Sequence, residues 1–223
     1  MKSEESPISV KSEEYLEVIY RLEKKVGFAR TVELARRLKV VPGSVTNTIE
    51  NLERRGLVIH EPYKGIKLTE TGRKLALNVL RRHRLAERLL TDVLHLDWSE
   101  AHDAACKLEH AFSNKVIKPL EKTLGHPKTC PHGNPIPTKC GGIFEEKSEP
   151  LSNLNPQEGG IVVKIMDEDS NLLRYLATLG LTPGTSVKIV EKAPLNDLIT
   201  VEVDGTNHAL SRKVASIVEV RKA

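Results

Sequence analysis

Across residues 12–25 the apolar positions Tyr15, Val18, Ile19 and Leu22 recur at three- and four-residue steps, which predicts a helix with one buried face, closed by Gly27. Glu14, Glu17 and Arg21 occupy the adjoining face. A second helix is predicted over 30–38, with Thr31 as its N-cap and Leu34, Ala35 and Leu38 turned inward. After a short turn at 39–43, Val45, Ile49 and Leu52 mark a third helix from Ser44 until Gly56 stops it. Two short helices across a tight turn, the second opening on small polar residues, make a helix-turn-helix pattern. Residues 57–60 and 66–69 then read as strands on either side of a turn at 61–65, and this hairpin completes a winged helix.

From 72 to 94 the pattern is helical again, with Leu75, Val79, Ala86, Leu89, Leu90 and Val93 on the inner side. Ser99 is placed to cap a further helix over about 100–112. Phe112, Val116, Leu120 and Leu124 form a four-residue line on the next one. Such a line serves either a helix-to-helix dimer contact or an ordinary buried face. Prolines at 127, 131, 135, 137, 150 and 156 make 125–157 loop-like, with a linker at 145–157. Beyond it short apolar runs at 161–165, 186–190, 198–203 and 215–220 read as strands. One helical turn at 171–179 and a hairpin signal at Asp204-Gly205 complete a small SH3-like barrel. The expected fold is α+β in three parts: a winged helix-turn-helix over 1–72, a helical domain over 73–144 and an SH3-like domain over 158–223.

Composition narrows this only in places. Aromatic residues make up 4% of the 223, which favours aliphatic helical cores over an aromatic-rich sandwich. No apolar run approaches a bilayer span, and the acidic start MKSEESPISVKSEE is unlike a signal peptide, so no membrane partner and a cytoplasmic location are expected. Three cysteines do not suggest a disulfide framework. The net charge of +4 is uneven: residues 1–80 carry 15 Lys/Arg against 11 Asp/Glu, whereas 146–223 carry 9 against 11. Phosphate partners are therefore sought in the amino-terminal half.

The chemistry concentrates in His102-Asp-Ala-Ala-Cys106-Lys-Leu-Glu109-His110. On a helix turning about 100° per residue, two imidazoles, a thiol and a carboxylate share one face. A chance polar stripe rarely includes a thiol. His83 and Glu87 form a similar pair four residues apart, and Glu14 and Glu17 a third on the first helix. These pairs are also what a solvated face would show. A mixed nitrogen and oxygen donor set with one sulfur suits divalent iron, manganese, cobalt, nickel or zinc, selected by geometry and supply. Cys130-Pro-His132 and Cys140, with His126 nearby, have a spacing that matches no common zinc ribbon, and no role is expected for them. In the helix-turn-helix, Pro42, Ser44, Thr46 and Asn47 open the recognition helix. Asn47 suits adenine and the Thr46 methyl suits thymine, while Thr31, Arg55 and Lys64 suit phosphates.

Arg82-His83-Arg-Leu-Ala-Glu87-Arg-Leu-Leu-Thr-Asp92, the 102–110 segment and Gly133-Asn-Pro-Ile-Pro137 resemble the signature segments of the diphtheria-toxin-repressor family of iron- and manganese-dependent transcriptional repressors, and the likeness runs through nearly the whole chain. The resemblance implies two Fe2+ or Mn2+ sites per chain, with zinc, cobalt or nickel as substitutes in vitro. An ancillary site would use His83, Glu87 and His102, with Asp169 aligned to a carboxylate lent by the SH3-like domain and Leu172 standing where a glutamine is usual. A regulatory site would use Cys106, Glu109, His110 and Glu14, with Glu17 close by. In iron-responsive relatives the first-helix ligand is a methionine, so Glu14 and Glu17 are of manganese type and Cys106 of iron type.

The expected function is that of a metal co-repressed homodimer on palindromic operator DNA, shutting off metal-uptake genes. A di-metal hydrolase or oxidase is the rival reading, and a metal-storage or scaffold protein a third. The enzyme reading finds no general base or nucleophile beyond the ligands and leaves the winged helix without a task.

Overall fold

A computed structural model describes residues 8–61, 64–193 and 197–222. They form two compact units, one holding the chain up to Arg82 together with 137–142, the other 83–136 with 143–223.

The first unit opens with α1 (Val10–Val26), whose N-cap Ser9 accepts a hydrogen bond from the Ser12 amide and whose end is turned by Gly27 at φ +86°. Helix α2 (Thr31–Leu38) is capped one residue earlier than expected: Arg30 is the N-cap, and Thr31 is already helical. Lys39, at φ 54°, reverses the chain, and Pro42 starts α3 (Pro42–Arg54) at the position where its missing N–H costs nothing. Helix α3 therefore begins two residues before Ser44, the expected start. Strands β1 (Val58–Glu61) and β2 (Gly65–Leu68) pair antiparallel from Val58↔Leu68 to Glu61↔Gly65, and Ala29 bridges Ile66 on the outer edge. Pro62 and Tyr63, in the expected turn, lie outside the described residues. Tyr15, Leu16, Ile19, Leu34, Leu52, Ile66 and Leu80 are fully buried between these elements and α4 (Glu70–Arg88). Two ion pairs fasten α1 to α4, Glu23 to Arg73 at 3.1 Å and Glu13 to Arg82 at 2.6 Å.

The second unit takes over α4 at His83. The helical run expected to 94 changes character at Leu89–Val93, a π-helical turn in which the Leu94 amide donates to the Leu89 carbonyl. The extra residue in this turn rotates the face, so Val93, expected inside, is exposed. Helix α5 (Ala101–Leu108) is shorter than expected, with Glu109 as its C-cap and His110 in the following turn. Ser99 does not cap it, because its hydroxyl and amide both go to Asp97, and Glu100 takes the N-cap position without a side-chain bond. In α6 (Asn114–Thr123) the four-residue line splits. Phe112, Leu120 and Leu124 pack on Leu85, Ile117 and Ile136, while Val116 stays exposed.

The C-terminal part is a six-stranded antiparallel sheet in the order β3-β8-β4-β5-β6-β7. Its strands are β3 (Glu149–Pro150), β4 (Gly159–Ile165), β5 (Ser186–Lys192), β6 (Leu198–Val203), β7 (Thr206–Ser211) and β8 (Val218–Lys222). Helix α7 (Ser170–Thr178) follows β4, and α8 (Arg212–Ala215) precedes β8. Asp204 and Gly205, both at positive φ, make the two-residue β6–β7 turn.

The stretch read as the linker 145–157 contains β3, paired with β8, and a 3-10 turn at Leu151–Asn153. Leu151 and Leu154 are buried in the same core as Val162, Ile165, Leu173 and Val218. The prolines here shape a packed edge and not a tether. Leu151→Ala is therefore expected to destabilise the protein by about 2–5 kcal/mol, the range for emptying a buried leucine site. A urea midpoint unchanged from wild type would restore the linker reading.

Candidate metal centre and DNA-binding face

Within the second unit, the last turns of α4 point His83 and Glu87 inward, one helical turn apart, and both are fully buried. The Glu87 Oε1 oxygen lies 3.0 Å from His83 Nε2, 3.4 Å from His102 Nδ1 and 3.3 Å from His132 Nδ1. Three imidazoles thus converge on one carboxylate. His83 turns its Nδ1 to the buried Glu109 carboxylate at 2.6 Å, and Glu109 also meets His110 Nε2 at 3.1 Å. Cys106 Sγ stands 3.7 Å from His102 Nε2. The ligand sets expected as separate sites therefore adjoin, with Glu109 on His83 and Cys106 on His102.

Glu168, not Asp169, is the sheet domain's carboxylate at this cluster: its Oε2 is 3.1 Å from His102 Nδ1, and the residue is buried. Asp169 is exposed and occupied as the N-cap of α7, accepting from the amides of Asn171 and Leu172. The expected alignment was one residue out. An Asp followed by Ser and Asn ahead of an apolar helical run was itself a readable N-cap signal.

Cys130 and His132, for which no role was expected, are both buried, and each offers a ligand atom beside Glu87. Their loop is brought there by α4, where Arg84 donates to the Pro135 carbonyl and Arg88 to the Thr129 carbonyl at 2.7 Å. His132 Nε2–H donates to the Trp98 carbonyl at 3.0 Å, leaving Nδ1 to face Glu87. A backbone carbonyl that accepts from one ring nitrogen in this way fixes the tautomer and leaves the other nitrogen free to bind a metal. The spacing test missed these residues because Cys140 lies elsewhere, in the first unit beside Leu77 and Asn78. The signal within reach was Cys-x-His in the segment next to Gly133-Asn-Pro.

The electrostatics follow from this crowding. Burial alone would lower His83, but Glu87, with help from Cys106 and Glu109, holds its pKa well above the usual imidazole value. His102 is likewise opposed by burial yet raised to about 9 by Cys106, Glu87 and Glu168. Burial would raise Glu87, and the imidazoles around it overcome this and hold it well below the usual carboxylate range. Burial also pushes the Cys130 thiol far up, with Glu87 adding to the effect. The second Glu87 oxygen, Oε2, is buried with no hydrogen-bond partner. An orphaned anionic oxygen amid imidazole, thiol and carboxylate donors is what a divalent transition-metal site leaves when its ligands are read without the ion.

The two glutamates of α1 belong to the first unit. Glu14 is exposed, and Glu17 is buried and paired with Arg21 at 2.8 Å.

Comparison with known proteins bears on this arrangement at three places along the chain. Residues 8–66 match the DNA-binding domain of the iron-dependent repressors, 69–138 their metal-binding and dimerisation domain, and 149–222 the FeoA domain. The chain is 36% identical to the iron-dependent repressor IdeR of Mycobacterium tuberculosis, over 95% of this chain and 96% of the relative. It belongs to the iron-dependent repressor family. The diphtheria toxin repressor of Corynebacterium glutamicum is 32% identical over 95% of this chain and 96% of its own. A solved manganese-dependent transcriptional repressor, in complex with manganese, superposes with a TM-score of 0.87 at 31% identity, covering 95% of this chain and all of the other.

As an iron-dependent repressor the protein is a DNA-binding, dimerising transcriptional regulator and not an enzyme, and the di-metal enzyme reading gains no support. Among the described residues no helix is long and apolar enough to cross a membrane. On the family's DNA-binding domain, Pro42, Thr46 and Asn47 are exposed along the start of α3, as base-reading residues must be. Ser44 is half-buried and accepts a bond from Lys11 Nζ at 3.3 Å, which places an unforeseen cation at the opening of the recognition helix. Thr31 is half-buried at the start of α2 and Arg55 is the C-cap of α3, while the Lys64 ammonium is exposed in the wing and paired with Glu61 at 2.7 Å.

Proposed function

We propose that this protein is an Fe2+- or Mn2+-responsive repressor whose ligand set joins its domains into a DNA-competent homodimer. One observation carries the reading: a fully buried Glu87 ringed by His83, His102 and His132, with one oxygen left without a partner. The ancillary set is His83, Glu87 and His102, extended by Glu168, His132 and Cys130. With Glu168 in the register first assigned to Asp169, the position three residues on becomes Asn171, whose amide offers a carbonyl oxygen where Leu172 offered none. The regulatory set is Cys106, Glu109 and His110, completed by Glu14 of α1, with Glu17 nearby.

A divalent ion bound there would take the place of the protons that the crowded carboxylates hold on the imidazoles, and would supply the positive charge in their stead. The residues of the chain do the rest. Glu109 holds His83 in one orientation, Trp98 does the same for His132, and Glu14 ties the regulatory ligands to the helix that opens the DNA-binding unit. A pose of the winged helices favoured by ligation must also be the pose favoured by DNA, and linkage makes each raise the affinity of the other equally. In the dimer the two recognition helices would sit about 34 Å apart, matching a palindromic operator. The similar proteins divide between the metals: the IdeR relative is an iron-dependent repressor and the structural neighbour a manganese-dependent one. Control of metal-uptake genes in the cytoplasm is the output that fits a repressor loaded by its own co-repressor.

The test is fluorescence anisotropy of labelled DNA from upstream of a metal-uptake gene, at fixed salt because phosphate-driven affinity varies with it. Binding should tighten at least 10-fold on adding anaerobic Fe2+ or Mn2+ and relax with a chelator. In Glu14→Ala and His110→Ala that gain should vanish while the circular dichroism stays that of wild type. Metal-independent binding of equal strength, or an undiminished gain in both variants, would refute the proposal.

A further inference from the structure

We propose that Asn134 is a positioning residue, whose side-chain amide orients the Glu168 carboxylate toward His102 and, with Gly133, fastens the His132 loop to strand β4. The inference rests on the ancillary-site reading above and adds the device that holds two of its ligands in place.

Asn134 is buried, and its Nδ2 donates twice, to the Ile165 carbonyl at 3.1 Å and to Glu168 Oε1 at 3.3 Å. The other Glu168 oxygen is the one that meets His102, at 3.1 Å. A terminal carboxylate torsion is broad and soft, so an unanchored Glu168 would present either oxygen over a wide arc. With one oxygen held by a neutral donor, the other is aimed and keeps its charge for the site.

The same loop is locked to β4 through its backbone. The Ile165 amide donates to the His132 carbonyl at 2.9 Å, while Asn134 satisfies the Ile165 carbonyl, so residues 132 and 134 grip both polar groups of one strand residue. Between them Gly133 sits at φ +83°, and a Cβ there would stand 2.0 Å from the Val163 carbonyl oxygen. Only glycine permits so close an approach of two backbones. Because the His132 ring faces Glu87, this single docking contact sets a nitrogen ligand on one side of the site and a carboxylate on the other. Buried asparagines also serve as plain packing groups, and the test must separate the two roles.

The experiment is a double-mutant cycle read by calorimetric Mn2+ titration of the full-length protein, with Asn134→Ala, Glu168→Gln and the pair. Glu168→Gln identifies the ancillary transition as the one it moves. Asn134→Ala should weaken that transition about 10–100-fold, the range for removing a group that orients a ligand. The double variant should bind more weakly than Glu168→Gln alone but less weakly than the product of the two losses, because an absent carboxylate cannot be disoriented whereas the His132 loop can still loosen. Asn134→Leu, which keeps the approximate size, lacks the donor and adds no charge, should weaken it likewise and guards against a packing defect in the alanine variant. In the metal-free protein, hydrogen exchange at the Ile165 amide should quicken in Asn134→Ala and not in Glu168→Gln. If Glu168→Gln leaves Mn2+ binding intact, the ancillary-site reading itself fails. If it weakens binding while neither Asn134 variant does, or if the losses multiply in the pair, that reading stands and the positioning role is overturned.

Discussion

Glu87→Gln should cost the protein at least about 100-fold in affinity for its ancillary Mn2+, more than any change of a neighbouring orienting group. The substitution keeps volume and shape and removes only charge. In the wild type one oxygen serves three imidazoles at 3.0 Å, 3.4 Å and 3.3 Å. An amide oxygen in the same place faces the same three imidazoles without the negative charge that holds their protons. The amide NH2 falls where the unpartnered Oε2 now stands, a donor in place of a metal-ligating oxygen. The loss should also appear without metal. His83 and His102 are held above their usual pKa partly by this carboxylate, so neutral glutamine lets both fall. Breaking a buried ion pair from one side leaves the other charge stranded, at about 3–5 kcal/mol, which a denaturant titration of the metal-free protein can read. Operator affinity at saturating wild-type metal should drop in parallel. Unchanged Mn2+ binding together with an unchanged midpoint would mean that the carboxylate is only a core group.

How much of this was legible follows the range of the interactions. The first three helices and the wing were readable because each is specified by residues within one or two turns: the Leu34, Ala35 and Leu38 stripe, the stop at Gly27, the hairpin around Gly65. What failed locally failed by a residue or two, as at Thr31 and Ser99, where a hydroxyl that could cap a helix found another bond or stood one place inside. The π-helical turn at Leu89–Val93 left no trace in the periodicity, since the apolar residues on either side still read as one helix. The metal cluster was half legible. His83, Glu87, His102, Cys106, Glu109 and His110 lie on two stretches with helical spacing, and spacing found them. Cys130, His132 and Glu168 arrive from a proline-rich loop and from the approach to α7. Their place is set by contacts far along the chain, from Arg84 and Arg88 to carbonyls of the loop and from Ile165 to His132. Cys-x-His marks a ligand pair, but no local pattern encodes which helix the pair meets. The linker was misread for the same reason: Leu151 and Leu154 look like isolated apolar residues among prolines until β8 is laid beside them.

Gly72→Ala separates the two halves of the mechanism. Helix propensity alone predicts a gain of about 1 kcal/mol for alanine over glycine in a helix. The packing predicts the reverse, because a Cβ at residue 72 would lie 1.9 Å from the Leu57 carbonyl oxygen, which is backbone and cannot swing aside. That carbonyl accepts from the Thr69 amide, and the Thr69 hydroxyl bonds the Gly56 carbonyl at 2.8 Å and the Gly72 amide at 3.1 Å. The end of α3, the start of β1 and the start of α4 thus meet at one knot, all within the first unit. Relieving the overlap must shift the wing or the helix, at about 1–3 kcal/mol after repacking. The expected variant is therefore less stable in denaturant and binds operator DNA at least 10-fold more weakly. Its Mn2+ isotherm should stay that of wild type at the ancillary transition, since none of His83, Glu87, His102, His132 and Glu168 lies in that unit. Glu87→Gln loses DNA because it loses metal, whereas Gly72→Ala should lose DNA with metal bound. An alanine variant as stable as the parent would show that propensity outweighs the close approach, and one that lost ancillary metal and DNA together would show that the knot also governs the metal ligands.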